Sequence, residues 1–358
     1  SDALSDDVRV VLKARQSLGK TSTSKYAKIL ETVCADNTCK GLVQYWGATT
    51  GRFAGRLIQV HNLPRGNYKS MEKIAPFTKD LTLDDFHFLY ADPMEAFSSM
   101  IRPMIIPPAG EKLFVSDFAN IEGRVLAWMA GQDDLVKQFA SGDDVYKHMA
   151  ATIFGVSYHD ISGDQRFVGK QAVLGCGYGM GGPKFHTTCL NYGRDIGGKL
   201  AQKTVNIYRK KNHAIQKCWY SVSDAAIHTI RNPGAAAHTF MCAFKVEKNF
   251  LVVKLPSGRN LLYCSPRVDG DKNISYLGLD PYTKKWARVE TYGGRLVENI
   301  VQGVARDLLV NSMLSVDHVG FTALTTIHDE VIGSSPDKTD DEFTAAMLET
   351  PGWADGCP

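Results

Sequence analysis

Residues 113–130 read LFVSDFANIEGRVLAWMA, and the fold prediction starts from this stretch. Residues 113–115 form a short apolar run that predicts a buried strand. Apolar residues at helical spacing then lead up to Gly131 and predict a helix. Asp117 lies at the junction, where a carboxylate is costly unless it caps the helix, pairs or binds a metal. The helix-cap and metal-binding interpretations are both open from this stretch alone.

Upstream of the strand, the sequence predicts helices separated by one long loop. Residues 7–34 predict two short helices that separate near Gly19. Residues 46–66 are rich in Gly, Thr and Arg without clear periodicity, which indicates an ordered functional loop. Residues 83–102 predict further helix, and the proline-rich segment 101–112 ends it.

Downstream, helical patterns alternate with two hairpin patterns. The predicted helices are residues 144–154, 164–178, 199–231 and 295–316. The predicted β-hairpins are residues 250–264, around Pro256-Ser257-Gly258, and residues 323–335, around His328-Asp329-Glu330. The fold class is therefore predicted to be α+β, with a small antiparallel sheet in a mostly helical chain.

Composition excludes several classes of protein. The chain has 358 residues, of which 44% are hydrophobic and 22% charged, so a disordered or collagen-like protein is excluded. No run approaches the roughly 20 apolar residues that a membrane-spanning helix needs, which predicts a soluble cytosolic protein with no membrane partner. The net charge of +3 allows a nucleic-acid partner without arguing for one. The eight cysteines are scattered, which indicates reduced thiols rather than a disulfide scaffold or a zinc site.

Two familiar nucleotide-binding motifs fail on their context. The glycines of residues 175–181 resemble a dinucleotide-binding fingerprint, but they end a predicted helix instead of opening one. Residues 18–21, LGKT, resemble part of a P-loop, but the required first glycine would fall at Ala14. Neither motif supports a nucleotide site.

A pair of acidic residues lies in the apolar second hairpin. Asp329 and Glu330 follow His328 between the segments LTTI and VIG. Adjacent acids at a turn are usually solvated turn residues. If the elements are neighbouring strands, Asp117 and Asp329 converge, and converging carboxylates are the hard oxygen ligands that Mg²⁺ prefers. Two metals bridged by such carboxylates would serve phosphoryl transfer.

The segment 164–178 carries a second candidate site. Arg166, Lys170, Leu174 and Tyr178 are spaced by four residues, so on a helix they share a stripe ~120° wide. Arginine and lysine one turn apart can hold a polyphosphate. The alternative is an ordinary solvated basic face.

Five segments, in chain order, resemble the family A DNA polymerases, the bacterial DNA polymerase I class, and in wording they are most similar to bacteriophage members. The segments are TGRFAGRLIQVHNLPRG (50–66), DFANIEGRVLAW (117–128), RFVGKQAVLGCGYG (166–179), GGRLVENIVQGVARDLL (293–309) and IHDEV (327–331). The resemblance spans almost the whole chain.

The resemblance implies a right-hand polymerase fold with an antiparallel-sheet palm, helical fingers and a truncated thumb. The thumb remnant would be residues 1–45, the palm residues 46–130 and 295–358, and the fingers residues 131–294. It implies a DNA-directed DNA polymerase that uses primer-template DNA and dNTPs in the cytoplasm of a bacterium or of a phage's bacterial host. Because family members usually carry an exonuclease or exonuclease-like domain upstream, the resemblance also suggests that the chain is a fragment.

The resemblance further implies roles in the chemical step. Asp117 and Asp329 would hold two Mg²⁺ ions, for which Mn²⁺ can substitute, and Glu330 would support them. Arg166 and Lys170 would hold the β- and γ-phosphates, and Lys170 would also protonate the pyrophosphate.

It implies roles in substrate selection as well. Tyr178 would stack in the insertion site near the template base. Glu122 would be a steric gate against the ribose 2′-OH, although a carboxylate in the first turn of a helix is also favoured by the helix dipole. Arg52, Gln302 and His328 would contact the minor-groove side of the primer terminus.

The sequence departs from the family pattern at several positions. Leu174 stands where the family usually has Phe or Tyr beside the incoming sugar, which predicts altered discrimination against 3′-deoxy terminators. Gly123 replaces the usual Leu, and because a helical glycine costs about 1 kcal/mol, close packing is expected there. Arg295 lies one residue away from the family's usual arginine, so that DNA-binding role is carried over only loosely. The cationic residues of 199–217 would touch template phosphates or form a solvated helix face.

Three rival functions have different signatures. A single-subunit RNA polymerase would share the palm chemistry, but Glu122 would crowd its 2′-OH. A non-catalytic DNA-binding protein of the same fold would not need Asp117, Asp329, Arg166, Lys170 and Tyr178 all intact. A phosphate-binding metabolic enzyme leaves the 50–66 loop unexplained.

Overall fold

A computed structural model describes residues 5–18, 24–280 and 283–358 in two compact units. The first unit comprises Ser1–Gly47, Phe53–Ser116 and Met313–Met347, and the second comprises Ala48–Arg52, Asp117–Ser312 and Leu348–Pro358. Among the helices in these residues, none has the length and apolar character needed to cross a membrane. All eight cysteines are free thiols.

The α-helices are numbered in chain order. They are α1 (Asp6–Leu18), α2 (Ser24–Thr32), α3 (Leu83–Leu89), α4 (Pro93–Met100), α5 (Ile121–Ala130), α6 (Asp133–Ala140), α7 (Val145–Phe154), α8 (Gly163–Gln171), α9 (Gly182–Asn191), α10 (Gly198–Lys211), α11 (His213–Arg231), α12 (Gly293–His318) and α13 (Asp340–Met347). A π-helical turn, Ala172–Cys176, follows α8 directly.

The strands form three sheets. They are β1 (Val43–Gln44), β2 (Ala54–Gly55), β3 (Lys112–Asp117), β4 (Ala236–Thr239), β5 (Cys242–Glu247), β6 (Phe250–Lys254), β7 (Asn260–Val268), β8 (Ile274–Leu279), β9 (Trp286–Thr291), β10 (Thr322–Ile327) and β11 (Glu330–Ser335). The strand orders are β1-β2, β10-β11-β3 and β4-β5-β6-β7-β8-β9. The six strands of the largest sheet form an antiparallel meander.

In the first unit, aromatic packing supports the three-stranded sheet. The ring centroid of Phe114 lies 5.0 Å from that of Phe321 and 5.7 Å from that of Phe343. All three rings are buried. Gly333 on β11 leaves the space that the Phe343 ring fills, since a Cβ there would lie 2.8 Å from Cε2. The burial of these rings is what holds β3 and the β10–β11 hairpin on one core.

In the second unit, one large core joins the helices to the six-stranded sheet. Alternating residues on the inner sheet face, such as Phe244, Val253 and Leu261, are buried in the same core as Ile300 and Val304 of α12. The period of two on the strands and the helical period on α12 explain how both elements present one apolar face. The sheet therefore carries part of the core.

The structure agrees with the predicted strand at 113–115, the predicted helix up to Gly131, the predicted helices at 144–154 and 295–316, and both hairpins. It differs from the prediction at the following places. Residues 199–231 form two helices instead of one, because Asn212 adopts a non-helical backbone conformation between α10 and α11. Residues 83–102 likewise break between α3 and α4. The sheet is larger than predicted: only β6 and β7 of its six strands were recognised. The predicted break near Gly19 lies outside the described residues.

The close packing expected at Gly123 is present. A Cβ on this residue would lie 3.0 Å from Cζ of Phe139. The missing side chain therefore lets α6 pack tightly against α5, which carries Glu122.

Candidate active site

Glu122 and Arg52 form an ion pair in the second unit. Arg52 ends the Ala48–Arg52 segment of that unit, and Glu122 lies in the first turn of α5. Arg52 Nη1 donates to Glu122 Oε1 at 2.7 Å, and both side chains are about one-quarter exposed, at 27% and 28%. The partial positive charge of a helix N-terminus also favours a carboxylate at this position. The two residues predicted to face the nucleotide sugar and the primer terminus are therefore direct partners.

Tyr178 belongs to the same polar neighbourhood. Burial raises the pKa of Tyr178 well above its ordinary value, the carboxylates of Glu122 and Glu298 raise it further, and Arg52 opposes them. The tyrosine is therefore a neutral hydroxyl at physiological pH. Gln302 Nε2 donates to Glu298 Oε1 at 3.4 Å. The second unit thus gathers Arg52, Glu122, Tyr178 and Gln302, together with Glu298, which the sequence analysis missed.

The predicted phosphate-binding residues share one face of α8. The Arg166 guanidinium carbon lies 5.3 Å, and the Lys170 Nζ lies 5.9 Å, from the centroid of the Tyr146 ring. The Tyr146 hydroxyl donates to the side-chain carbonyl of Asn120, the residue that precedes α5. Lys170 is exposed. The two cations are therefore fixed against a tyrosine that also contacts the segment leading to Glu122.

The stripe predicted from Arg166 to Tyr178 is not a continuous α-helix. The α-helical geometry ends at Gln171, and Leu174 lies on the π turn with 44% of its surface exposed. Tyr178 follows the turn, where Trp219 Nε1 donates to the Gly177 carbonyl at 2.7 Å. Because the π turn has a different angle per residue from an α-helix, the prediction that residues spaced by four share one stripe fails beyond Lys170. π turns often mark functional sites.

A glycine on α8 permits its contact with α7. A Cβ on Gly169 would lie 2.2 Å from the Tyr146 carbonyl oxygen. Because that atom is backbone, Gly169→Ala is expected to separate the helices and destabilise the protein by about 1–3 kcal/mol in a chemical unfolding experiment. Gly163→Ala on the same helix is the matched control, since nothing lies within 4 Å of its Cβ. Equal stability of the two variants would contradict this packing account.

Asp144 caps α7 and pairs with Arg166. Its Oδ1 accepts from the Tyr146 and Lys147 amides at 3.0 and 3.2 Å, and its Oδ2 lies 2.5 Å from Arg166 Nε. Partial burial alone would raise the pKa of Asp144, but these hydrogen bonds and the Arg166 charge outweigh it, and the pKa lies below its ordinary value. The free protein therefore holds Arg166 with an internal carboxylate.

This lowered pKa predicts a pH-dependent stability. The folded state keeps Asp144 ionised where the unfolded chain, with a pKa of about 4, begins to bind a proton. The stabilisation is therefore full above about pH 5 and declines as the pH falls below about 4. Asp144→Asn retains a capping side chain without the charge. The stability difference between wild type and this variant should shrink on acidification; a constant difference from pH 3 to 7 would contradict the assignment.

In the first unit, Asp329 lies in the tight turn of the β10–β11 hairpin. Ile327 pairs with Glu330 across the hairpin, so His328 and Asp329 form the two-residue turn. His328 has a left-handed backbone with φ 55°, and its ring packs edge-on against His61 at 5.3 Å. The Glu330 carbonyl accepts from the buried Thr326 hydroxyl at 2.8 Å. The turn is therefore held in one conformation by its own hairpin.

Asp117 is the exposed last residue of β3. The helix-cap interpretation of this residue is wrong, because the N-cap of α5 is Asn120, with φ 57°. In sheet order β3 is the neighbour of β11.

The carboxylates of Asp117 and of Asp329 are each the kind of oxygen donor that Mg²⁺ accepts. Mg²⁺ is usually held by one or two carboxylates together with substrate phosphates and water. Asp117 is exposed and Asp329 partly exposed, so both can meet a hydrated ion. Within residues 5–18, 24–280 and 283–358, no group of three or more His, Cys, Asp or Glu could hold a metal ion by itself.

The remaining predicted DNA contacts differ in character. Arg295 is exposed in the first turn of α12. Burial raises the pKa of Tyr276, and the positive charge of Arg295 opposes this increase. In the 199–217 segment, Arg209 lies 5.8 Å from the Trp219 ring, and Lys211 donates to Thr152. Those two cations are structural. The exposed ones are Lys199, Lys203, Lys210 and Lys217.

Several site residues escaped the sequence analysis. They are Asp144, Tyr146 and Glu298. Asp144 had a partial signal, since it precedes an apolar helical pattern and is a good N-cap residue.

Comparison with known proteins places this architecture in a family. Residues 4–236, more than half of the chain, match the family described as DNA polymerase family A. The DNA polymerase of Bacillus phage SP02 is 36% identical over 363 residues, covering 99% of this chain and 56% of that protein. DNA polymerase I of Pseudomonas aeruginosa is 41% identical over 80 residues, covering 22% of this chain and 9% of that protein. The chain thus spans about half the length of the phage relative.

A solved structure shares the fold. The POL domain of Pol1 from M. smegmatis, in complex with DNA primer-template and dNTP, matches with a TM-score of 0.60. The match has 16% sequence identity and covers 93% of this chain and 47% of that chain. Its fold likeness agrees with the long match to the phage relative and with the family match. The chain belongs to family A of the DNA polymerases.

Proposed function

We propose that this chain catalyses the template-directed addition of deoxynucleotides to a primer 3′-OH during phage DNA replication. The observation that carries the proposal is that the charged groups of Arg166 and Lys170 both lie against the Tyr146 ring. The hydroxyl of this tyrosine contacts the segment before Glu122. This arrangement supports the proposal because Tyr146 connects cations that would bind phosphate to the segment before Glu122, which would select the sugar. The proposed substrates are primer-template DNA and dNTPs, and the proposed location is the cytoplasm of a bacterial host.

In the proposed reaction, the primer 3′-oxygen forms a bond to the α-phosphorus of a dNTP, and the bond to the leaving pyrophosphate breaks. Asp117 and Asp329 would hold two Mg²⁺ ions, or Mn²⁺ in their place, and Glu330 would support these carboxylates. The bound ions would supply Lewis-acid activation of the 3′-oxygen and charge neutralisation of the triphosphate.

The cations of α8 would act on the leaving group. Arg166 would exchange Asp144 for the β- and γ-phosphates, because a guanidinium binds either anion through paired hydrogen bonds. Lys170, which is exposed, would bind the same phosphates and donate a proton to the departing pyrophosphate. This proton balances the one that the 3′-OH loses.

The polar cluster of the second unit would select the substrate. Glu122 would occupy the space that a ribose 2′-OH needs, and the neutral Tyr178 would stack near the template base. Leu174 would border the incoming sugar with less surface than an aromatic ring. Arg52 and Gln302, with His328, would contact minor-groove acceptors, which lie in similar places for every correct base pair.

The domain assignment belongs to the same proposal. Residues 1–45 would form a thumb remnant, 46–130 and 295–358 the palm, and 131–294 the fingers. The exposed lysines of α10 and α11 would contact template phosphates, which predicts binding that weakens with salt.

A primer-extension assay with dNTPs and with rNTPs tests the function against the RNA polymerase alternative. Wild type should extend a primed DNA template with dNTPs and Mg²⁺, and equal use of rNTPs would contradict a DNA polymerase. Glu122→Ala should raise the ratio of rNTP to dNTP incorporation by about 100-fold, or ~2.7 kcal/mol, because the space of the carboxylate opens. Glu122→Gln is the matched control: it keeps the bulk and should keep most of the discrimination. An unchanged ratio of rNTP to dNTP incorporation in Glu122→Ala would contradict the steric-gate role of Glu122.

A further inference from the structure

The backbone immediately before Arg52 is held by two arginines from other parts of the second unit. Arg259 Nη1 donates to the Thr50 carbonyl at 2.9 Å, and Arg306 Nε donates to the Gly51 carbonyl at 3.0 Å. Thr50 and Gly51 are both buried. Gly51 has φ 83°, and a Cβ there would lie 2.4 Å from Arg259 Nη1. The glycine is thus needed both for the turn and for the approach of the guanidinium.

One carboxylate joins the two arginines. Asp307 Oδ1 lies 2.7 Å from Arg259 Nε and 3.2 Å from Arg306 Nη1, and its Oδ2 accepts from the Ser257 hydroxyl at 2.5 Å. The side chains of Arg259, Asp307 and Arg306 are only 15%, 7% and 6% exposed. Removing one partner of such a buried group would leave an uncompensated buried charge and would strongly destabilise the protein.

The turn between β6 and β7 is tied to α12 at the same place. Arg259 Nη2 donates to the Gly303 carbonyl at 2.8 Å. A Cβ on Gly303 would lie 2.9 Å from Leu255 Cδ1 and 3.2 Å from Arg259 Nη2. The guanidinium of Arg259 therefore contacts the loop, the helix and the carboxylate at once, which only its fork of donors permits.

We infer that Arg259 and Asp307 are positioning residues that fix the backbone of residues 50–51 and thereby aim Arg52 at Glu122. The inference rests on the proposed function and extends it to residues that touch neither substrate nor metal. A long arginine side chain in a one-quarter exposed ion pair gains little from the pair alone. The direction of the Arg52 side chain is set by the two preceding backbone carbonyls, which are buried and held by hydrogen bonds. Small displacements of a substrate-selecting group can change rates by about 100-fold.

The test uses Arg259→Lys, which keeps the charge and loses the fork, and Ser257→Ala, which removes one hydrogen bond to Asp307. Arg288→Lys, at an exposed position of β9 in the same sheet, is the matched control. Two ratios are measured at a temperature where melting curves show each variant folded. They are dNTP over rNTP incorporation, and extension of matched over mismatched primer ends. Hydrogen exchange of the peptide that spans residues 48–53 is measured in the same samples.

Arg259→Lys should lower both incorporation ratios by about tenfold to about 100-fold and should speed hydrogen exchange in residues 48–53. Ser257→Ala should change the ratios and the exchange in the same direction, but by less. Arg288→Lys should match wild type. A merely structural role would scale all rates together and leave the ratios unchanged. Ratios equal to wild type, or unchanged exchange, in the folded Arg259→Lys protein would overturn this inference alone. A wild-type protein that extends no primer would overturn the proposed function, and with it this inference.

Discussion

Asp117→Asn and Asp329→Asn are each expected to slow primer extension by about 1,000-fold or more at saturating Mg²⁺ and dNTP. Neutralising a carboxylate that holds the ions removes several kcal/mol of transition-state stabilisation, and ~1.4 kcal/mol corresponds to a factor of ten. Folding should be little affected, because Asp117 is exposed and caps no helix. The measurement is the single-turnover extension rate on a primed template.

The matched control for these variants is Asp224→Asn. Asp224 is an exposed residue of α11 to which the proposed reaction gives no role. Its variant should extend primers at the wild-type rate. If Asp117→Asn extended primers as fast as Asp224→Asn, the assignment of Asp117 as a catalytic carboxylate would be wrong.

Lys170→Ala is expected to lower the rate of nucleotide addition by about 100-fold to 10,000-fold, the range for loss of a general acid. The apparent affinity for dNTP should also fall, because a cation that binds the triphosphate is lost. Lys170 is exposed and its Nζ lies 5.9 Å from the Tyr146 ring centroid, so the folded state should tolerate the change. Rapid-quench kinetics over a range of dNTP concentrations separates the rate from the affinity.

Lys170→Arg distinguishes charge from proton donation. A guanidinium can bind phosphate, but its pKa above 12 makes it a poor proton donor. This variant should recover most of the dNTP affinity and little of the rate. Lys137→Ala, at an exposed position of α6, is the control and should behave as wild type. Full recovery of the rate in Lys170→Arg would show that charge alone matters and would remove the general-acid role.

The elements with strong local signals could be predicted from the sequence. The apolar run before Asp117 and the helical period up to Gly131 predicted β3 and α5, and the structure has both. The β10–β11 hairpin was predicted because two apolar runs flank His328-Asp329-Glu330. In each case the residues that decide the structure are neighbours in the chain.

Four strands of the six-stranded sheet, β4, β5, β8 and β9, lacked such a local signal. Trp286–Thr291 and Ile274–Leu279 alternate apolar and polar residues only weakly, and their burial depends on cross-strand pairs such as Leu279 with Trp286. The residues on both sides of Asn212 keep helical spacing of polar and apolar positions, so the sequence pattern did not indicate the break between α10 and α11. Tertiary contacts decide both features.

The candidate site could be predicted only where a motif carried it. Arg166 and Lys170 follow from spacing, but Asp144 and Tyr146, which hold them, come from another helix. The buried group around Asp307 joins a loop, a hairpin turn and α12. No local pattern encodes such a contact, because the charges are acceptable only after burial pairs them.

The most direct test of the catalytic proposal is a double-mutant cycle on Asp117 and Asp329, measured as single-turnover extension rates with Mg²⁺. Carboxylates that serve the same ions act as a unit, and their losses are then not additive. The proposal predicts that the Asp117→Asn/Asp329→Asn protein is slower than the slower single variant by no more than about threefold. Losses that multiply in the double variant, or a single variant with the wild-type rate, would contradict it.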